Sequence, residues 1–290
     1  MKLIALLVAL CFTNAAAFRI CSFNIQSFGE AKCAKPDVMN VIVKVVSRCD
    51  IMLLMEIKDS TDKVINILMA KLNSQPEMKD EFSLIISKRL GRKTYKEQYA
   101  FIYRKQLVTV KDVYQYLDHQ DGDVDAFSRE PFVVWFQTYK SDFVIIPQHT
   151  TPEAAVREID ELYDVYLDVK QKWKTENFIF MGDFNAACSY VPKKYWKNIR
   201  LRTNQEFIWL IEDNVDTTVK STTKCAYDRI VVHGKRLLKS VMPGSATVFD
   251  FMKEYGLTEA QALEISDHYP VEFQLIQMRK MKMKPSSFSR

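Results

Sequence analysis

Two short phrases set carboxylates beside apolar runs: Cys225-Ala-Tyr-Asp228-Arg-Ile-Val-Val and, further on, Ser266-Asp267-His268-Tyr-Pro-Val. The second also places a carboxylate directly before a histidine. Upstream, polar residues stand at the ends of five more apolar stretches. Asn24 follows Ser22-Phe23, Glu56 closes 52–55, Glu97 precedes the stretch at Tyr99, His149 follows Val144-Ile-Ile-Pro, and Asp183 with Asn185 follow Phe178-Ile-Phe-Met-Gly. Each residue alone has an ordinary reading. A strand-end Asp or Asn is more often a turn former or helix cap, and a single His is more often a hydrogen-bonded structural residue. The chain has only 4 histidines, however, and two fall in this pattern. That concentration favours a site.

The chemistry suited to such a set is phosphodiester hydrolysis. Glu56 and Asp267, with the amide of Asn24, offer hard oxygen ligands of the kind Mg²⁺ prefers. Two imidazoles, each beside a carboxylate, can act as general base and acid because histidine titrates near neutrality. The sequence does not say which would be which.

Such residues work together only if the chain delivers them to one edge, and the pattern of elements does so. Strands and helices alternate, and strand ends in an α/β sheet converge where ligand clefts form. The stretch 19–25 alternates as a strand should, and 51–55 is a continuous apolar run typical of a strand buried on both faces. Strands are also expected at 82–87, 99–103, 132–136, 143–146, 178–181, 230–232 and 271–275. Pro36 opens a helix whose apolar face is Val38, Val41, Ile42, Val45 and Val46, and Thr61 caps another carrying Val64, Ile65, Leu68 and Leu72. Thr151-Pro152-Glu153 starts a third, with Val156, Ile159, Tyr163, Tyr166, Val169 and Trp173 as its core stripe. The acidic stretch between Tyr116 and Glu130 reads as a loop.

No linker interrupts the pattern, so one large domain over 18–277 is expected, preceded by a secretory signal at 1–17 and followed by a basic tail at 278–290. Lys2, the apolar run 3–12 and Ala15-Ala16-Ala17 carry the signal reading. That run is too short to span a bilayer, so no membrane insertion is expected. Losing Lys2 takes the formal charge from +5 to +4, a mild surplus that suits a polyanionic partner. Five cysteines remain after cleavage, Cys21, Cys33, Cys49, Cys188 and Cys225, an odd number in an oxidising compartment. No close C-x-x-C pair supports a zinc site.

The residues resemble a known family, the deoxyribonuclease I family within the endonuclease/exonuclease/phosphatase superfamily, and within it the gamma branch. The resemblance runs from about Arg19 to Leu275. It rests on Ile20-Cys-Ser-Phe-Asn24, Leu-Met-Glu56-Ile-Lys-Asp, Leu90-Gly-Arg-Lys-Thr-Tyr-Lys-Glu97-Gln-Tyr, Phe127-Ser-Arg129-Glu-Pro-Phe, Ile146-Pro-Gln-His149-Thr-Thr-Pro, Gly182-Asp183-Phe-Asn185-Ala and the two phrases above. It implies a four-layer α/β sandwich of two packed mixed sheets flanked by helices. It also implies a secreted endonuclease that uses Mg²⁺ and Ca²⁺, with Mn²⁺ as a substitute, and cuts double-stranded DNA with little sequence preference to 5′-phosphorylated fragments.

By the same resemblance Glu97 orients His149, Asp228 orients His268, and Asp183 and Asn185 position phosphate, water or metal. Lys58, Tyr95 and Arg129 match DNA-contacting positions. Cys188–Cys225 and Cys21–Cys49 match the disulfides, leaving Cys33 free. Asp121, Asp125 and Asp216 resemble calcium positions, although the loop holding the first two is shorter than in deoxyribonuclease I. Leu84-Ile-Ile86 and Phe132 depart from that enzyme's actin-binding surface, so weak or no actin binding is expected. The tail residues Arg279, Lys280, Lys282 and Lys284 suit DNA in chromatin or vesicles. A monomer acting in DNA catabolism and apoptosis, with possible nuclear entry, completes the expectation. The competing readings are a sphingomyelinase-like phosphodiesterase and a catalytically silent DNA- or chromatin-binding protein.

Overall fold

The computed structural model describes residues 15–118 and 125–278. Most of the expected signal, the tail beyond Met278, and Asp121 and Asp123 lie outside the described residues.

Ile51 to Ile57 shows how the sequence builds the layers. Ile51, Leu53 and Met55 join one buried cluster while Met52, Leu54 and Ile57 join another, so no side chain on this strand is free to be polar before Glu56. A strand with two buried faces reads as an unbroken apolar run. The strands are β1 (Ala15–Phe28), β2 (Ile51–Ile57), β3 (Phe82–Ile86), β4 (Gln98–Arg104), β5 (Val108–Gln115), β6 (Phe132–Thr138), β7 (Asp142–Pro147), β8 (Phe178–Asp183), β9 (Phe207–Trp209), β10 (Asp228–His233), β11 (Thr247–Val248) and β12 (Val271–Met278). They form two six-stranded sheets, ordered β11-β12-β1-β2-β4-β3 and β5-β6-β7-β8-β10-β9. Both are mixed: β1 with β2 and β7 with β8 run parallel, the other named pairs antiparallel.

The helices are α1 (Glu30–Cys33), α2 (Pro36–Ser47), α3 (Lys63–Asn73), α4 (Ala155–Trp173), α5 (Arg200–Thr203), α6 (Lys235–Ser240), α7 (Phe251–Glu254) and α8 (Glu259–Ile265). One cluster, with Ile20, Leu53, Phe136, Ile179 and Ile230, fills the space between the sheets. A second packs α2 and α3 on the outer face of the first sheet, and a third packs α4 on the outer face of the second. This is the four-layer sandwich expected, and it brings the ends of β1, β2, β7 and β8 to one edge with the starts of β4, β10 and β12.

Two helix starts differ from expectation. Thr61 does not cap α3. Asp59 does that work, its Oδ2 accepting from Val64 N at 2.9 Å while Oδ1 accepts from Thr61 N and Oγ1. A carboxylate so placed takes an amide that a helix start leaves unpaired. Likewise Pro152–Ala154 forms a 3₁₀ turn before α4, and Thr151 donates both N and Oγ1 to Glu158 Oε1 instead of capping. β5 and the short elements β9, β11, α1 and α5 to α8 had no expectation at all.

Candidate active site

The site begins with register. β10 pairs antiparallel with β8 so that Asp228 stands opposite Asp183, which sets two carboxylates on one rung at the sheet edge. The preceding Gly182 has φ +143°, and a Cβ there would lie 2.0 Å from the carbonyl oxygen of Gln148. Only glycine lets the backbone before Asp183 pass this close to the backbone before His149. At the other sheet's edge, β1 and β2 shift register after Asn24, and Gln26, Ser27 and Glu56 all have positive φ. Strained backbone of this kind needs outside support.

The two histidines have matching surroundings. His149 Nδ1 lies 2.6 Å from Glu97 Oε1, and His268 Nδ1 lies 2.8 Å from Asp228 Oδ2. Each Nε2 points into the cleft toward the same atom: Asp183 Oδ2 is 3.6 Å from that of His149 and 3.5 Å from that of His268. Glu97 and Asp228 are buried, and each one's second oxygen, Glu97 Oε2 and Asp228 Oδ1, has no hydrogen-bond partner among the described residues. Burial works against a charged ring at both histidines, but the adjacent carboxylates outweigh it and raise both imidazole pKa values, that of His268 strongly. Burial raises the Asp228 carboxyl to about 6, although the charge of His268 works against that rise.

Hydrogen bonds fix the frame around them. Tyr99 Oη accepts from His149 N at 2.9 Å, and Arg129 Nε donates to His149 O at 2.8 Å while standing 3.3 Å from Glu97 Oε1. Arg129, expected only as a DNA contact, is thus a buried brace of the Glu97–His149 pair that also lines the cleft. Asp183 Oδ1 accepts from Asn185 N, and Asn185 Nδ2 donates to Thr150 O, linking the β8 end to the segment after His149. Ser266 Oγ donates to Asn24 O and accepts from His268 N, linking the first strand to the last.

Among the residues expected to hold a metal, Asn24 Nδ2 donates to Glu56 Oε1 at 3.2 Å and to Asp183 Oδ2 at 3.0 Å, while its Oδ1 accepts from Gln26 N. The amide therefore bridges two carboxylates and keeps one lone pair of its oxygen. Burial works against the Glu56 carboxylate, yet His149, Lys58 and the Ser27 amide together hold its pKa down to about 2. Asp267 projects from the cleft wall with its side chain 43% exposed, its Oδ1 3.8 Å from His268 Nε2. A permanently ionised carboxylate, an accessible second one and an amide oxygen are a donor set that fits Mg²⁺. The cluster Asp183, Asp228 and His268 also lies close enough to share an ion, but His268 Nδ1 is already committed to Asp228.

Asn24, Glu56, Tyr95, Arg129, His149, Asp183, Asn185, Asp267 and His268 all line one open cleft of about 540 Å³; Glu97 and Asp228 stand behind it. Lys58 sits at its rim, 3.1 Å from Glu56 Oε2 and 4.4 Å from the centre of the half-exposed Tyr95 ring. Of the expected calcium residues, Asp121 lies outside the described residues, and Asp125 and Asp216 do not line this cleft. Asp125 pairs with Arg92 at 3.3 Å and Asp216 Oδ1 holds Thr218, and neither joins a cluster of potential ligands among the described residues. The disulfides Cys21–Cys49 and Cys188–Cys225 are formed and Cys33 is free.

Several contributors escaped sequence reasoning. Tyr190 and Tyr227 stack at 5.3 Å along the cleft beside His268. Lys32 donates to Ile25 O at 2.8 Å, to Gln26 O and to Ile265 O at 2.6 Å, and burial lowers its pKa to about 8. Ser266 at least stood inside a quoted phrase. Nothing near Lys32 in sequence signals its carbonyl partner 233 residues away.

Known proteins resemble this chain in sequence and in fold. A sequence model of the Endonuclease/Exonuclease/phosphatase family matches residues 21–268. Deoxyribonuclease gamma of Homo sapiens is 62% identical over 273 residues, which cover 93% of this chain and 90% of that protein. Deoxyribonuclease-1 of Rattus norvegicus is 50% identical over 265 residues, covering 90% of this chain and 92% of its own. Among solved structures, humanized D. rerio TDP2 aligns with a TM-score of 0.60 at 14% identity, over 89% of this chain and 98% of that one, a likeness of fold.

Proposed function

The chain belongs to the endonuclease/exonuclease/phosphatase family, and from that premise we propose that it is a DNA endonuclease hydrolysing phosphodiester bonds by histidine acid–base catalysis. One observation carries the mechanism: two imidazoles, each with its own carboxylate at Nδ1, turn their Nε2 atoms toward one carboxylate oxygen at the cleft floor. A scissile phosphate seated above Asp183 has an imidazole on each side. One Nε2 takes a proton from the attacking water as the new P–O bond forms. The other gives its proton to the departing 3′ oxygen, leaving a 3′ hydroxyl and a 5′ phosphate. Glu97 and Asp228 keep the rings in the required tautomer and stabilise whichever is charged. Asn185 and Arg129 hold the surrounding loops.

Glu56, Asp267 and the oxygen of Asn24 would hold Mg²⁺, with Mn²⁺ as an alternative, and the ion supplies positive charge against the phosphate oxygens. Ca²⁺ at Asp121, Asp125 and Asp216 is a second proposal that the resemblance alone supports. Lys58, Tyr95 and Arg129 are assigned to DNA at the rim and wall of the cleft, contacts that give affinity without sequence reading.

The two disulfides support a secretory route through the endoplasmic reticulum, since such bonds persist in oxidising compartments. No described helix is long and apolar enough to cross a membrane. Weak or absent actin binding and action on chromatin or vesicle-associated DNA complete the reading. Supercoiled plasmid incubated with Mg²⁺ and Ca²⁺ tests it. Nicking that EDTA stops and actin spares is expected. Intact plasmid with a folded, disulfide-bonded protein would reject it in favour of a phospholipid substrate or binding without cutting.

A further inference from the structure

We propose that the pole opposite the catalytic cleft carries a second binding site for a DNA backbone, formed by Lys140, Arg236 and Lys239; the proposal rests on DNA being the substrate. β10 starts at Asp228 in the cleft and ends at His233, and β12 runs from Val271 to the far end past Ile276. At ~3.3 Å per residue, the strands put this pole roughly 17–20 Å from the cleft. A recess of about 310 Å³ opens there, lined by Lys140, Ser141, Arg236, Lys239, Ser240 and the end of β12, with no acidic residue in its wall.

The three cations come from two elements. Lys140 stands in the turn between β6 and β7, and Arg236 and Lys239 lie three apart on α6, hence on one face. Arg236 Nη2 donates to Lys140 O at 3.1 Å, which ties helix to turn and fixes the guanidinium beside the recess. All three side chains are exposed, and none makes an ion pair among the described residues.

Several other cations at this pole are neutralised, whereas Lys105, Lys174 and Lys235 are exposed and make no ion pair among the described residues. Arg104 pairs with Asp50 and Glu81, Arg19 and Arg48 with Glu272, Lys111 with Asp142, and Lys170 with Glu176. Of the unpaired cations, Lys140, Arg236 and Lys239 are the three that share one recess. Three cations with a single exposed apolar side chain in the wall, Ile276, suit the phosphates of a nucleic acid better than the interior of a bilayer, for Leu275 beneath them is buried. A duplex in the catalytic cleft does not reach this pole, so the site holds a second segment. Long or condensed DNA would then be cut while tethered, at raised effective concentration.

The test counts duplexes. In a His149→Ala, His268→Ala background of the full chain, sedimentation with duplexes of about one helical turn is expected to show two bound per protein. Adding K140E, R236E and K239E should reduce this to one. The neutral set K140Q, R236Q and K239Q should weaken the second site, and its salt slope should fall by about 2.7 for three lost phosphate contacts. With the histidines intact, the charge-reversed protein should cut the short duplex at the parent rate and unfold at the parent temperature. A chain ending at Met278 should keep the second site, which separates it from the basic tail.

One bound duplex in the parent, or two in the charge-reversed protein, overturns the proposal. So does loss of the second duplex on removing the tail. Binding of phosphatidylserine vesicles through these three residues without a second duplex would overturn it in favour of a membrane contact. Failure to bind or cut the first duplex would instead count against the endonuclease reading.

Discussion

His149 and His268 are joined through one atom. Their Nε2 nitrogens lie 3.6 and 3.5 Å from Asp183 Oδ2, although the residues stand at the edges of different sheets and far apart in the chain. The arrangement is close to symmetric, with a separate carboxylate behind each ring. It predicts that neither histidine can substitute for the other. His149→Ala and His268→Ala should each lower plasmid nicking by about 10²–10⁴-fold, the usual worth of a positioned acid or base. Binding of the same DNA by fluorescence anisotropy should change little. If either variant nicks at the parent rate, the paired-imidazole mechanism fails.

Replacing Asp228 by Asn should leave His268 in place and remove the charge that raises its pKa. The imidazole then loses its proton at lower pH than in the parent. The limb of the pH–rate profile belonging to His268 should move toward acid, with kcat reduced and the KM for DNA almost unchanged. A profile that keeps its shape would mean that Asp228 serves only to hold the fold.

Glu56 predicts an acid limit to stability. Its folded pKa is depressed from 4.5 to about 2, so its contribution is complete above pH 4.5 and is lost as pH falls through 2. In EDTA, the difference in melting temperature between the parent and Glu56→Gln should be constant above pH 4.5 and close as the pH falls toward 2. A difference that grows on acidification would reverse the assigned sign.

Much of this arrangement was legible in the sequence because the strands that carry it are buried on both faces. The runs ending at Glu56 and at Asp183 could be neither helices nor surface strands, and their first polar residues had to fall at the sheet edge. The partnership of Glu97 with His149 was different: it spans 52 residues and came from family resemblance, not from spacing. Local chemistry misled at Thr61 and Thr151: Asp59 takes the Val64 amide in place of Thr61, and Glu158, seven residues on, accepts both N and Oγ1 of Thr151, whose hydroxyl is thereby turned away from capping. Arg129 was expected, from the resemblance, only as a DNA contact, because nothing in Phe-Ser-Arg-Glu-Pro says that its guanidinium turns inward to His149 O. Contacts between distant segments are decided by packing, which a local pattern does not encode.

Gly182 and Cys188 test how far the β8 end must be held. In Gly182→Ala the new Cβ meets Gln148 O at 2.0 Å, a backbone atom that cannot step aside. Nicking should fall more steeply than the melting temperature suggests, because Asp183 and His149 separate before the fold fails. Opening Cys188–Cys225, a link of 37 residues, by double serine substitution should cost about 3–4 kcal/mol in urea unfolding. If Gly182→Ala matches the parent in both rate and melting temperature, the close approach of the two segments does not position the site.

Lys32 gives the most discriminating prediction, because it touches no expected substrate and yet holds both halves of the metal side. Its ammonium donates to Ile25 O and Gln26 O, just past Asn24, and to Ile265 O, just before Asp267. Gln26 and Ser27 have positive φ, so this stretch depends on such ties to keep its course. Lys32→Met retains the length of the side chain and removes all three donors. The Asn24–Glu56 end should then drift from Asp267, which weakens ion binding before it alters DNA binding. The Mg²⁺ concentration for half-maximal nicking should rise about tenfold, the equivalent of roughly 1.4 kcal/mol. The rise in melting temperature on adding Mg²⁺ should shrink, and the KM for DNA should stay near the parent value. A general loss of stability would lower the melting temperature equally with and without Mg²⁺, and that result would reduce Lys32 to a structural tie.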